Sequence, residues 1–141
     1  MQGDGPGAVE VEAFFDRFVD AFATFDGRRV ADLFAVPAVA CSEDGTLVGL
    51  TTRNEVVDYY QAALDAYRVR GCVACRWSDL RMTSMGTRSL VAAVSWRLLG
   101  SDHRVVSAWR QSYCLLTTGG AAKCFAAASH AARRCRGFSA K

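Results

Sequence analysis

The stretch His103 to His130, HRVVSAWRQSYCLLTTGGAAKCFAAASH, constrains the fold more than any other part of the chain. Val105 to Leu116 is rich in β-branched and aromatic residues, and Lys123 to Ser129 returns as a second apolar run. Gly119-Gly120 between them supplies the positive φ of a hairpin turn. A hairpin this long is not stable alone in water. It needs further strands and a helical layer over one face.

The residues before it supply both. Val11, Phe14, Phe15, Phe18, Val19, Phe22 and Phe25 recur at helical spacing and predict an amphipathic helix ended by Gly27. Arg28 to Val36, with Val30, Leu33 and Phe34 on one face, predicts a short second helix stopped by Pro37. Ala38 to Cys41 and Thr46 to Leu50 predict short strands around an Asp44-Gly45 turn. Thr52-Arg53-Asn54-Glu55 is a capping box that opens a third helix, whose buried stripe is Val56, Tyr60, Ala63, Leu64 and Tyr67 and whose end is Gly71. Cys72 to Met82 and Ser89 to Leu99 complete the strands, with turns at Met85-Gly86 and Gly100 to Asp102. The expected fold is α+β: three N-terminal helices packed in the concave face of a strongly curved, mainly antiparallel sheet, spanning residues 9–130 and open at one end. Residues 1–8, with three glycines and Pro6, read as a flexible lead.

A chain of 141 residues fits one domain, and 51% hydrophobic with 22% charged residues excludes disorder. The net charge of +3 resides in residues 131–141, where Arg133, Arg134, Arg136 and Lys141 face no acid; the remainder is −1. That tail reads as solvated, so no nucleic-acid partner is expected. The lack of a long apolar run or a secretion-type N-terminus predicts a cytoplasmic protein with no membrane partner. The six cysteines are expected reduced. Cys72 and Cys75 have CxxC spacing without a second pair, and positions three apart in a strand point to opposite faces; they read as small buried hydrophobes, with no metal.

In their order along the chain, Phe14-Phe15-Asp16-Arg17-Phe18, Ala31-Asp32-Leu33-Phe34, Gly49 to Tyr60 (GLTTRNEVVDYY) and Trp109-Arg110-Gln111-Ser112-Tyr113 resemble the nuclear transport factor 2-like superfamily, the cystatin-like cone, and within it the SnoaL-like polyketide cyclase group. The resemblance implies an apolar pocket for a small hydrophobic molecule, acid-base chemistry of cyclase, isomerase, dehydratase or hydrolase type without any cofactor, and a homodimer through the sheet. The non-catalytic binding and dimerisation modules of that superfamily imply the alternative. Isomerase-like members carry an aspartate on the strand after the second helix. Here Ala38 to Ser42 offers no carboxylate before Glu43 and Asp44, which counts against the isomerase mechanism, and Cys41, the available substitute, is a poor base in apolar surroundings.

Three residues are candidate catalytic groups. His130 ends the last strand, where SnoaL-like sequences often place an acid or histidine, and imidazole titrates near neutrality. Asp79 sits among apolar strand residues, either as a proton acceptor or as the partner of Arg110. Tyr113, with Gln111, can hold a carbonyl or hydroxyl. Phe14, Phe18, Tyr60, Trp96, Trp109, Gln111 and Cys41 are the candidate ligand-binding lining. Trp109, Gln111 and Tyr113 alternate onto one face of their strand and Arg110 and Ser112 onto the other. Both sets are apolar enough to be buried, so the pattern leaves open whether the first lines a pocket or a subunit interface.

Overall fold

Val11, Phe14, Phe15, Phe18 and Phe22 share one face of α1 (Ala8–Ala23), and all are buried, Phe14 and Phe15 completely. Each ring contributes roughly 2 to 3 kcal/mol by leaving water, so this stripe holds α1 in place. The structure is a computed structural model; it describes residues 7–117 and 120–130, together with the backbone of two short paired strands, Cys135–Arg136 and Phe138–Ser139. Gly119 of the expected turn and the side chains of the basic tail lie outside the described residues.

The first helix ends before Gly27, contrary to the spacing argument. The Thr24 amide closes the last turn on Ala21, and Phe25 reverses the chain in a left-handed conformation, φ 52°. Gly27 instead opens α2 (Gly27–Ala31), capped by the Asp26 carboxylate, which accepts from the Arg28 amide at 2.9 Å. The glycine is there for proximity. A Cβ at position 27 would sit 2.6 Å from the Val57 carbonyl oxygen.

Helix α2 is also shorter than expected, because Phe34 to Val36 already belong to β1 (Phe34–Cys41). Helical backbone is disfavoured at the residue before a proline, and Phe34 packs at 4.8 Å on the Tyr60 ring. β2 (Leu47–Leu50) returns antiparallel through Gly45, φ 89°. α3 (Arg53–Val69) starts with the expected box: the Glu55 amide donates to Thr52 Oγ1 at 3.2 Å, and the Thr52 amide donates to Glu55 Oε1 at 3.3 Å. Gly71 ends it at φ 90°.

β3 (Cys72–Ser84), β4 (Ser89–Gly100), β5 (Val105–Leu116) and β6 (Lys123–Ser129) form an antiparallel meander, and the six strands run in the order β2-β1-β6-β5-β4-β3. β6 pairs β1 in parallel, which joins the two ends of the domain into one sheet. The α+β cone is as expected. Along β4, Leu90, Ala92, Val94, Trp96 and Leu98 are all buried, and the register puts Trp109, Gln111, Tyr113 and Leu115 of β5 on the same side. That side is the concave one, which settles the face that alternation alone left open.

Two register shifts in β3 change the reading of single residues. Between Cys72 and Ala74 an extra residue turns the strand, so Cys72 and Cys75 are both buried instead of facing opposite ways. Between Ser78 and Arg81 the chain bulges at Asp79, φ 60°, a conformation that aspartate tolerates better than most residues. Among the described residues Cys41, Cys72, Cys75, Cys114 and Cys124 are free, no helix is long and apolar enough to cross a membrane, and no cluster of His, Cys, Asp or Glu could hold a metal.

Candidate ligand-binding site

Three indoles stand side by side inside the cone: Trp77, Trp96 and Trp109 are partners across β3, β4 and β5. An indole N–H only donates, and each of the three finds an acceptor. Trp77 Nε1 donates to Asp16 Oδ1 at 3.1 Å, Trp96 Nε1 to Tyr113 Oη at 2.7 Å, and Trp109 Nε1 to Gln111 Oε1 at 2.7 Å. The last two acceptors line a cavity of about 100 Å³ between α1, α3 and the concave faces of β4 to β6.

These bonds fix which atoms face the cavity. Gln111 Oε1 is held by Trp109 and also accepts from Ser129 Oγ at 3.3 Å, so the amide cannot flip, and its Nε2 hydrogens have no partner among the described residues. The Tyr113 oxygen is occupied as an acceptor, leaving its hydrogen free to donate. Gln111 and Tyr113 are two residues apart on one strand, so the two donors arise about 7 Å apart. Tyr60, from α3, brings a third hydroxyl to the same space.

The walls are rings. Phe18 lies 5.4 Å from Trp96 and 5.9 Å from Tyr113, and Tyr67 lies 5.8 Å from Trp109. Burial pushes the Tyr60 and Tyr113 hydroxyls well above the ordinary tyrosine range, and raises Tyr59 and Tyr67 in the same direction. No carboxylate, imidazole, ammonium or guanidinium is among the lining residues described. At neutral pH the polar groups that line the cavity are therefore uncharged.

Of the residues singled out from the sequence, Phe18, Cys41, Tyr60, Trp96, Trp109, Gln111 and Tyr113 meet at this cavity. Phe14 does not; it is wholly buried behind the lining, edge-on to Phe15 at 5.1 Å. Asp79 is carried by its bulge to the outer face, exposed, 3.8 Å from Arg110. His130 is exposed too, its Nε2 2.7 Å from the hydroxyl of Ser112, which alternation sends outward. Both therefore lie across the sheet from the cavity. Sequence reasoning passed over Tyr59, Tyr67 and Ser129 as lining residues. Tyr59 and Tyr67 share a helix face with Ala63 at i, i+4, i+8, and Ser129 lies two residues beyond the inward-facing Ala127, so both signals were present.

Helices packed in a curved six-stranded sheet around an aromatic cavity define a cystatin-like α+β cone. The chain matches the family described as NTF2-like protein (DUF6841) over residues 9–132, and it belongs to that family. Similar solved structures include Aln2 from a Streptomyces species, at 15% identity and TM-score 0.71 over 87% of this chain and 89% of that one. An NTF2-like protein with a cystatin-like fold from Novosphingobium aromaticivorans is 10% identical, TM-score 0.69, over 87% and 80%. An NTF2-like protein from Cytophaga hutchinsonii is 16% identical, TM-score 0.62, over 86% and 95%. No curated protein matches the chain.

Proposed function

We propose that the chain binds a small, mostly apolar molecule bearing a hydrogen-bond acceptor, such as a ketone or ester carbonyl, without covalent or proton-transfer chemistry. The observation that carries this reading is the pair of fixed donors, Gln111 Nε2 and the Tyr113 hydroxyl, in a cavity of neutral groups. A buried donor without an acceptor costs about 1 to 3 kcal/mol, which an acceptor ligand recovers. Acid-base catalysis near neutrality needs a group that changes protonation there, and the candidates for that role, His130 and Asp79, face the other side of the sheet.

Size limits the ligand. The cavity, about 100 Å³, is smaller than the ~150 Å³ site that admits benzene, so the inserted group is smaller than benzene, about four non-hydrogen atoms. Acetone and isobutane, titrated separately into the protein and followed by NMR of the indole and glutamine N–H signals, test the reading. The ketone should shift the Gln111, Trp96 and Trp109 signals and bind about tenfold more tightly than the hydrocarbon, the worth of one good hydrogen bond. Equal affinities, or no response to either, would refute it.

A further inference from the structure

The outer face of the sheet carries a charge arrangement that folding alone does not explain. Arg76 of β3 and Arg97 of β4 are Cα partners, both exposed, so two guanidiniums stand opposite one another across antiparallel strands. Like charges in that position lower stability. Neither has an ion-pair partner among the described residues. One row along, Ser78, Ser95 and Arg110 are aligned across β3, β4 and β5. Arg110 donates to Ser95 Oγ and to the Asp79 carbonyl, each at 3.0 Å, and the Asp79 carboxylate compensates its charge. Opposite Arg97 on β5 stands Ala108, too small to cover the strands. An open groove of about 330 Å³ results, lined by Ser78, Ser95, Trp96, Arg97, Ala108 and Trp109.

We propose that this groove binds the phosphoryl group of a small phosphate monoester. Arg97 lines the groove and Arg76 is its cross-strand partner beside it, so the pair offers two uncompensated positive charges to a phosphate of charge near −2, whereas a carboxylate would neutralise one. Guanidinium forks fit phosphate oxygens in pairs. The Ser95 oxygen already accepts from Arg110, so its hydrogen is available to the ligand, and Ser78 Oγ has no partner among the described residues. The ligand relieves the arginine repulsion, and a local conflict that a ligand resolves is what a binding site produces. The groove shares Trp96 and Trp109 with the aromatic cavity, but Ser78, Ser95 and Arg97 alternate onto the opposite face of the sheet, so this inference stands apart from the function proposed above.

Phenyl phosphate titrated into the full chain at constant ionic strength, followed by amide NMR, tests it. Saturable shifts are expected at residues 76–78, 95–97 and 108–110. Arg97→Gln should weaken binding about tenfold, as expected for a lost charge-assisted contact, and Ser78→Ala should weaken it less. Arg29→Gln, on α2, should leave it unchanged. Non-saturating shifts, equal affinity in Arg97→Gln, or shifts spread over Arg28, Arg29 and Arg53 would overturn the proposal. So would two further results. Tighter, steeply salt-dependent binding of a short single-stranded DNA would make the face a nucleic-acid surface, and loss of phosphate binding as protein concentration rises would make it an interface between copies.

Discussion

The Trp96 indole donates to the Tyr113 hydroxyl at 2.7 Å, and both side chains are almost wholly buried, at 3% and 2% exposure. Tyr113 sits opposite Ala92, not opposite Trp96, and the small Ala92 leaves the indole room to lean along β4 toward the hydroxyl. A polar contact between two inward rings of the meander thus fixes one wall of the cavity.

Tyr113→Phe removes the acceptor and hardly changes the volume. The indole N–H is then buried without a partner, and stability should fall by about 1 to 3 kcal/mol. Urea denaturation measures this directly. A loss near zero would mean that the indole finds another acceptor and that Tyr113 is not held by it.

Gly27→Ala tests the closest approach in the fold. The added carbon would meet the Val57 carbonyl at 2.6 Å and Gln61 Cβ at 3.1 Å, both on α3. Gln61 also clamps this turn, accepting from the Gly27 amide at 2.7 Å and donating to the Phe25 carbonyl at 3.1 Å. Backbone atoms cannot yield as a side-chain tip can, so α2 must move off α3. The expected cost is about 1 to 3 kcal/mol, read as a lower denaturation midpoint with an unchanged slope.

The helical face of α1, the capping box of α3 and the long hairpin were legible because each is written in residues close together. Gly27 was legible as a breaker but not as a contact, since its neighbours Val57 and Gln61 are some thirty residues away. The pairing of β1 with β6 has the same character: Val39 faces Ala126, and nothing local announces it. Bulges are harder still. One extra residue inverts every later assignment of inside and outside in a strand, which is how Cys72 and Cys75 come to share the interior and how Asp79 leaves it. Within the site, alternation correctly grouped Trp109, Gln111 and Tyr113, while His130, chosen for its chemistry and its place at a strand end, faces outward beside Ser112.

Thr52→Ala isolates the capping box of α3. The substitution removes the acceptor for the Glu55 amide, and loss of such a cap costs about 1 kcal/mol. Thr52→Asp restores an acceptor and places a negative charge at the helix start, so it should recover most of that stability. Thermal unfolding of the three proteins side by side distinguishes a capping role, in which Asp rescues, from a packing role, in which it does not.

The buried tyrosines set the alkaline limit of the fold. Burial raises Tyr60 and Tyr113 well above the ordinary value of 10.0, and Cys75 is pushed from 9.0 up to about 12. In the unfolded chain these groups ionise at their ordinary values. Between the unfolded and the native values, the unfolded chain has released protons that the native state still holds, so rising pH drives unfolding. The contribution is fully present below about pH 9 and is lost progressively above it, first through Cys75 and then through the tyrosines. Tyrosinate absorbance from Tyr60 and Tyr113 should therefore appear together with loss of helical circular dichroism, and shift to lower pH in Gly27→Ala. Ionisation of both near pH 10 in a protein that stays folded would mean that water reaches their hydroxyls. The cavity would then not be the low-dielectric space in which Gln111 and Tyr113 wait for an acceptor.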